Sequence, residues 1–273
     1  MPKLTTPDQV NLNYTDIGSG RPIVMIHGWP LSGAAFADNA KVIAAAGYRV
    51  ITYDRRGFGQ SGKPRDGYDY DTLAADLDAL LTGLDLHDVV LLGFSMGGGE
   101  VARYLATRGS ERVGAAILSG SICPALCITK DNPDGAMPRE GFQELADACA
   151  ADHAGFVDQF CGWFYSNDQG LTVPEEIRQQ AVEIARQSAP HAAVATILTW
   201  TEDLREDCRR IDVPLLVIHG DGDQNVPLAK SSARMPEYAQ QAQLVVIEGG
   251  PHGINVSHAD QWNAAILSFL AGS

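Results

Sequence analysis

The pentapeptide Gly93-Phe94-Ser95-Met96-Gly97 constrains the fold of this chain more than any other stretch. It follows the apolar run Val89-Val90-Leu91-Leu92 and opens a segment, 98–107, with helical character. A strand that turns this sharply into a helix leaves no room for side chains beside the turn, so glycine flanks the serine. The turn presents the Ser95 hydroxyl at the strand end, above a helix N-terminus. A serine so placed is a candidate nucleophile.

The rest of the chain alternates in the same way. Apolar or alternating runs predict strands at 12–16, 22–26, 49–53, 88–92, 113–118, 214–218 and 244–247. Helical patterns fill 34–46, 71–84, 97–107, 228–238 and 257–270. Runs this apolar suit parallel strands covered on both faces, and the alternation predicts a doubly wound α/β sheet. Residues from about 122 to 212 break the rhythm, with helices expected at 139–151, 154–164, 174–187 and 191–204 and no strand between them. The expected division is a core of 1–121 and 213–273 with 122–212 inserted as a helical cap. Such an insert would roof Ser95 at the carboxyl edge of the sheet, where ligands bind in open α/β folds.

Composition narrows the classes of partner. The chain has 273 residues, ample for a core without staples. Its five cysteines (Cys123, Cys127, Cys149, Cys161, Cys208) are odd in number and scattered, with no C-x-x-C pair. Buried thiols in a reducing compartment fit this better than zinc or disulfides. With 20 basic and 34 acidic residues the net charge is −14, and no basic block is present, which argues against nucleic acid or an anionic membrane as partner. No apolar run approaches the ~20 residues that cross a bilayer, and the N-terminal stretch lacks an apolar signal core. The expectation is a soluble, cytoplasmic protein.

A serine hydroxyl is a weak nucleophile at neutral pH, so the chain must supply a base and an acid that orients it. Downstream of Ser95 the histidines are His153, His191, His219, His252 and His258. His153 and His191 fall in the cap, His219 ends a strand, and His258 lies at the last helix. His252, in the loop Gly249-Gly250-Pro251-His252-Gly253 after the last strand, is the candidate base. For the acid, Asp221 and Asp223 compete within His219-Gly220-Asp221-Gly222-Asp223-Gln224-Asn225-Val226-Pro227. Asp223 lies further into the loop and is the candidate; Asp221, beside the strand end, suits bracing the loop. Acyl transfer also needs N–H donors for the developing oxyanion. Met96, after the serine, and Trp29, in His27-Gly28-Trp29-Pro30 after the 22–26 strand, are the candidates. The Trp29 indole has an alternative reading as pocket wall. His27 reads as structural, although sequence alone leaves a catalytic role open.

Taken together these blocks resemble the α/β-hydrolase superfamily and, within it, the cofactor-free bacterial haloperoxidases (perhydrolases) and similar arylesterases. The run Gly93-Phe94-Ser95-Met96-Gly97-Gly98-Gly99-Glu100-Val101-Ala102-Arg103-Tyr104 is distinctive of that group, and Tyr53-Asp54-Arg55-Arg56-Gly57-Phe58-Gly59-Gln60-Ser61 and Gly67-Tyr68-Asp69-Tyr70-Asp71-Thr72 match as well. The resemblance implies the α/β-hydrolase fold, a mostly parallel, twisted eight-stranded sheet flanked by helices with a helical cap. It implies Ser95, Asp223 and His252 as triad and Trp29 and Met96 as oxyanion donors.

It further implies attack on small carboxylic esters through an acyl-enzyme, released by water or by hydrogen peroxide to give a peracid, with no haem, flavin or metal cofactor. Expected partners are a small ester or carboxylic acid and hydrogen peroxide, and homo-oligomers are implied. Pro30 is the residue type of the perhydrolase-leaning members, and equally an ordinary loop proline. The expected substrate contacts are Trp29, Ile122, Leu126, Trp163, Asn225 and Leu228, with a polar Asn225 where an apolar residue is common. Asp54-Arg55-Arg56 reads as a structural loop network rather than a chemical site. Lactam or amide hydrolysis, C–C or C–N lyase chemistry, or a ligand receptor without turnover are alternatives the same residues allow.

Overall fold

The structure is a computed structural model that describes residues 2–272. Its eight-stranded sheet has the order β1-β2-β4-β3-β5-β6-β11-β12. The strands are β1 (Lys3–Thr5), β2 (Asn11–Gly18), β3 (Pro22–Ile26), β4 (Arg49–Tyr53), β5 (Val89–Phe94), β6 (Val113–Ser119), β11 (Leu215–Gly220) and β12 (Ala242–Ile247). β1, β2 and β4 pair antiparallel, and all pairs from β4 to β12 are parallel. Every residue of β5 and β11 is buried, as strands covered on both faces must be. Helices α1 (Ala37–Ala45), α2 (Tyr70–Gly83) and α3 (Met96–Arg108) follow β3, β4 and β5. Asp69 caps α2 by accepting the Thr72 N–H at 2.8 Å.

Between β6 and β11 lie α4 (Arg139–Ala151), α5 (His153–Phe164), α6 (Glu175–Ala185), α7 (Pro190–Thr199) and the short α8 (Arg205–Arg209). Here the structure departs from the strand-free expectation. Two small ladders pair β7 (Cys127–Ile128) with β8 (Met137–Pro138) and β9 (Ser166–Asn167) with β10 (Gly170–Leu171). Two-residue strands carry no periodicity, so sequence pattern does not register them. The 228–238 helix is two 3-10 segments, Leu228–Lys230 and Ser232–Glu237, the second with Pro236 inside it. The last helix is split at His258 into α9 (Ile254–Ser257) and α10 (Ala259–Leu270). Among the described residues no helix is long and apolar enough to cross a membrane.

Parallel pairing brings the carboxyl ends of β5, β6, β11 and β12 to one edge. Phe94 and Ile218 both register with Ser119, and Gly220 with Ile247. Loops leaving these ends therefore meet, although their residues are far apart in sequence.

Candidate active site

β5 runs into Ser95, whose backbone adopts φ 55°, ψ −119°, a conformation that costs a non-glycine residue about 1–3 kcal/mol. The flanking glycines explain how it is held. A Cβ at Gly93 would stand 2.4 Å from the Gly97 carbonyl oxygen, and one at Gly97 would stand 2.5 Å from the Ile26 oxygen. β3, β5 and α3 thus approach backbone to backbone. The Ser95 N–H donates to Ser119 O at 2.8 Å, which anchors the turn to β6.

The loop after β12 carries His252 to this serine. His252 Nε2 is 2.9 Å from Ser95 Oγ, and His252 Nδ1 is 2.6 Å from Asp223 Oδ2. A carboxylate only accepts, so Nδ1 carries the proton and Nε2 is left to accept from the serine hydroxyl. The imidazole is buried between Phe94 and Phe164, with ring centroids at 5.3 and 4.9 Å. The Gly253 N–H donates to Phe164 O at 2.8 Å and ties the histidine loop to α5.

Asp223 sits in the loop after β11. Its Oδ1 accepts the N–H groups of Asn225 at 2.9 Å and Val226 at 2.8 Å. Burial alone would raise the carboxyl pKa, but the His252 imidazole and hydrogen bonding from His219 and His252 outweigh it and hold the carboxyl well below the ordinary carboxylate range. Asp221 turns elsewhere and accepts the Gly249 N–H at 2.6 Å, bracing the β11 loop against the β12 loop. Three other histidines have separate partners. His153 meets Ser188, His191 meets Pro64 O, and His258 meets Ser257.

The loop after β3 lies against the serine, since a Cβ on Gly28 would be 2.9 Å from Ser95 Cβ. Among the described residues the backbone N–H of Trp29 reaches no protein acceptor. Met96 opens α3, where the first N–H groups of a helix lack partners. His27 holds the loop from beneath. Its Nε2 accepts the Arg55 N–H at 3.0 Å, and its Nδ1–H donates to Gly28 O at 2.8 Å. Burial, then the nearby Arg55 charge, push its pKa well below the ordinary 6.5. The Arg55 guanidinium donates to His27 O at 2.8 Å and pairs with Glu100 at 2.9 Å, while Arg56 pairs with Asp76 at 2.6 Å. Asp54 accepts N–H groups of Gly33 and Gln60. The Asp54-Arg55-Arg56 run is thus a buried network behind the site.

A cavity of about 320 Å³ opens onto Ser95 and His252. Ile122, Leu126, Trp163 and Asn225 line it, joined by Met137 of β8, Phe142 of α4, Phe160 of α5 and Trp200 just after α7. Two expected contacts lie elsewhere. The buried Trp29 indole donates to Ala193 O at 3.0 Å and packs edge-on against Phe160 and Trp200, so its ring joins the loop to α7 and is not on the cavity wall. Leu228 is carried off the acid loop by the 3-10 turn that follows Pro227, and Gln224 and Val226 take the wall position. Among the described residues neither buried amide atom of Asn225 has a protein partner, nor does Trp200 Nε1.

Comparison with known proteins agrees with this fold. The profile of a family described as alpha/beta hydrolase fold matches residues 21–259. A putative non-heme chloroperoxidase of Synechocystis sp. is 45% identical over 263 residues, covering 96% of this chain and 95% of that one. The bifunctional esterase/perhydrolase DCH of Acinetobacter calcoaceticus is 33% identical, covering 98% of each. The crystal structure of bromoperoxidase from Bacillus anthracis superposes with a TM-score of 0.96 at 39% identity, over 99% of both chains. Sheet order, serine turn and full-length similarity together establish that the chain belongs to the α/β-hydrolase fold family.

Proposed function

We propose that the protein is a serine esterase and perhydrolase of small carboxylic esters. The observation that carries this reading is the unbroken hydrogen-bond chain from Ser95 Oγ through His252 to Asp223. In the proposed reaction Ser95 Oγ attacks the ester carbonyl while His252 Nε2 takes its proton, and Asp223 steadies the resulting imidazolium. The N–H groups of Met96 and Trp29 stabilise the oxyanion. Collapse of the tetrahedral intermediate expels the alcohol, which receives the proton from His252, and leaves Ser95 acylated. His252 then deprotonates water, giving the acid, or hydrogen peroxide, giving a peracid that oxidises halide away from the protein.

Relatives named for chloroperoxidase and esterase/perhydrolase activity support this pair of acceptors. Ile122, Leu126, Trp163 and Asn225 contact the acyl group in this reading, and residues 122–212 form a cap over a core of 1–121 and 213–273. The apolar wall and modest cavity volume support a short acyl chain. The reading extends to the cytoplasm, supported by five free cysteines, and to a homo-oligomer, supported by the exposed Leu244 and Val246 of edge strand β12. The test is p-nitrophenyl acetate turnover with and without peroxide, coupled to monochlorodimedone bromination in acetate buffer, repeated with Ser95→Ala. Both activities should appear and both should vanish in the variant. Silence of the unmodified protein in both assays would overturn the proposal.

A further inference from the structure

His219, the fifth residue of β11, is fully buried and has no place in the mechanism above, yet it meets the same carboxylate oxygen as His252. Its Nε2 lies 3.0 Å from Asp223 Oδ2 and 2.8 Å from Val226 O. A carbonyl and an ionised carboxylate both only accept, so Nε2 carries a proton, which is given mainly to Val226 O with Asp223 Oδ2 as the second acceptor. On the far side of the ring, Ser232 Oγ lies 2.7 Å from Nδ1, where its hydroxyl can donate to the bare nitrogen of this tautomer. The Val226 backbone is held on both sides of its Cα, because its own N–H donates to Asp223 Oδ1 at 2.8 Å.

We infer that His219 is a positioning residue for Asp223: it holds the acid loop through Val226 and shares Asp223 Oδ2 with His252, so it sets both the aim of the carboxylate and how strongly that carboxylate favours a proton on His252. The inference rests on the triad reading of Ser95, His252 and Asp223. The groups that face these rings are few. Asp223 meets both, Ser232 meets His219, Ser95 meets His252, and Phe94 and Phe164 cover His252 with apolar faces. Among the described residues no other carboxylate and no cation hydrogen-bonds or ion-pairs with either ring. Burial of Asp223 without its second N–H neighbour concentrates negative charge toward His252 Nδ1, so losing His219 should make His252 more basic.

The experiment compares His219→Phe, which keeps the ring volume and removes the N–H, with His219→Gln, whose amide N–H reaches toward the Nε2 position. Two readouts are followed: titration of the His252 imidazole by NMR, which needs no turnover, and the pH profile of p-nitrophenyl acetate hydrolysis. In His219→Phe the His252 titration and the acid limb of kcat/KM should both move up by about half a pH unit, and kcat should fall about tenfold. KM should hold, because His219 is not on the cavity wall. His219→Gln should recover most of both effects. If His219→Phe does not fold, Ser232→Ala, which frees the far side of the ring, should shift the His252 titration in the same direction by less.

An unmoved His252 titration in a folded His219→Phe or Ser232→Ala protein would overturn the inference. So would a folded His219→Gln that falls as far as His219→Phe. A moved titration in a protein without ester turnover would instead sink the esterase reading and leave His219's role standing.

Discussion

Asp221 and Asp223 stand on one loop and serve different partners: Asp221 Oδ1 accepts the Gly249 N–H at 2.6 Å, and Asp223 Oδ2 accepts His252 Nδ1–H at the same distance. The first joins two loops and the second orients the imidazole proposed as base. Asp223→Asn should therefore lower kcat/KM for p-nitrophenyl acetate by about 10³–10⁴-fold, because an amide that donates to His252 favours the wrong tautomer. Asp221→Asn should keep turnover within tenfold and lose about 1 kcal/mol of stability in urea unfolding. If the two results were exchanged, Asp221 would be the acid.

Ser95 couples chemistry to strain. Ser95→Ala should fold normally and lose ester turnover by several orders of magnitude. Because φ is 55° there, Ser95→Gly, equally inactive, should be about 1 kcal/mol more stable than Ser95→Ala. Equal stabilities, measured by urea denaturation, would mean that the turn stores no backbone strain.

Two glycines on different helices should answer in opposite directions. An alanine at Gly97 drives a methyl into the Ile26 and His27 carbonyl oxygens at 2.5 and 3.1 Å, backbone atoms that have nowhere to go. It should cost about 2–4 kcal/mol. Gly162 lies inside α5 with nothing within 4 Å of its would-be Cβ. Gly162→Ala should raise stability by about 0.5–1 kcal/mol through helix propensity, and thermal unfolding of the two variants decides the matter.

His27 makes stability depend on pH. It stays neutral when folded because burial and Arg55 depress its pKa, whereas in the unfolded chain it takes up a proton near its ordinary 6.5. The unfolded state then binds more protons below that value, so this contribution is fully present above pH 6.5 and lost as the pH falls toward the folded pKa. His27→Gln should be less stable at pH 7 and should lose less between pH 7 and 5, the slopes differing by up to about 1.4 kcal/mol per pH unit. Parallel stability curves would show that His27 does not carry this dependence.

Asn225 brings a polar group with no protein partner to an apolar wall. Asn225→Leu should add about 1 kcal/mol of stability and raise the hexanoate-to-acetate ratio of kcat/KM roughly tenfold. An unchanged ratio would place the acyl chain away from this side chain.

Much of this was legible in the chain because the decisive features are local. Gly93 and Gly97 mark the turn, and the apolar runs at 22–26, 49–53 and 88–92 mark buried strands. His252 and Asp223 were readable as well, since each follows a strand within a glycine-rich loop. What escaped depends on neighbours distant in sequence. The Trp29 indole faces Ala193, more than 160 positions away, and nothing in His27-Gly28-Trp29-Pro30 says so. His219 looked like the end of a strand because its meaning lies in the loop that folds back over it from 223 to 226 and in Ser232. Strand β1 is three residues long and pairs at the sheet edge, too short for a pattern.

The three residues of the hydrogen-bond chain come from the ends of β5, β11 and β12, and the first and last of them stand 157 positions apart. A chain still being synthesised carries Ser95 as an ordinary alcohol, without His252 beside it, until those further 157 residues have been made. Any acyl donor met by the nascent chain therefore finds the hydrogen-bond chain unformed. That chain closes in one step, when β12 takes its place beside β11.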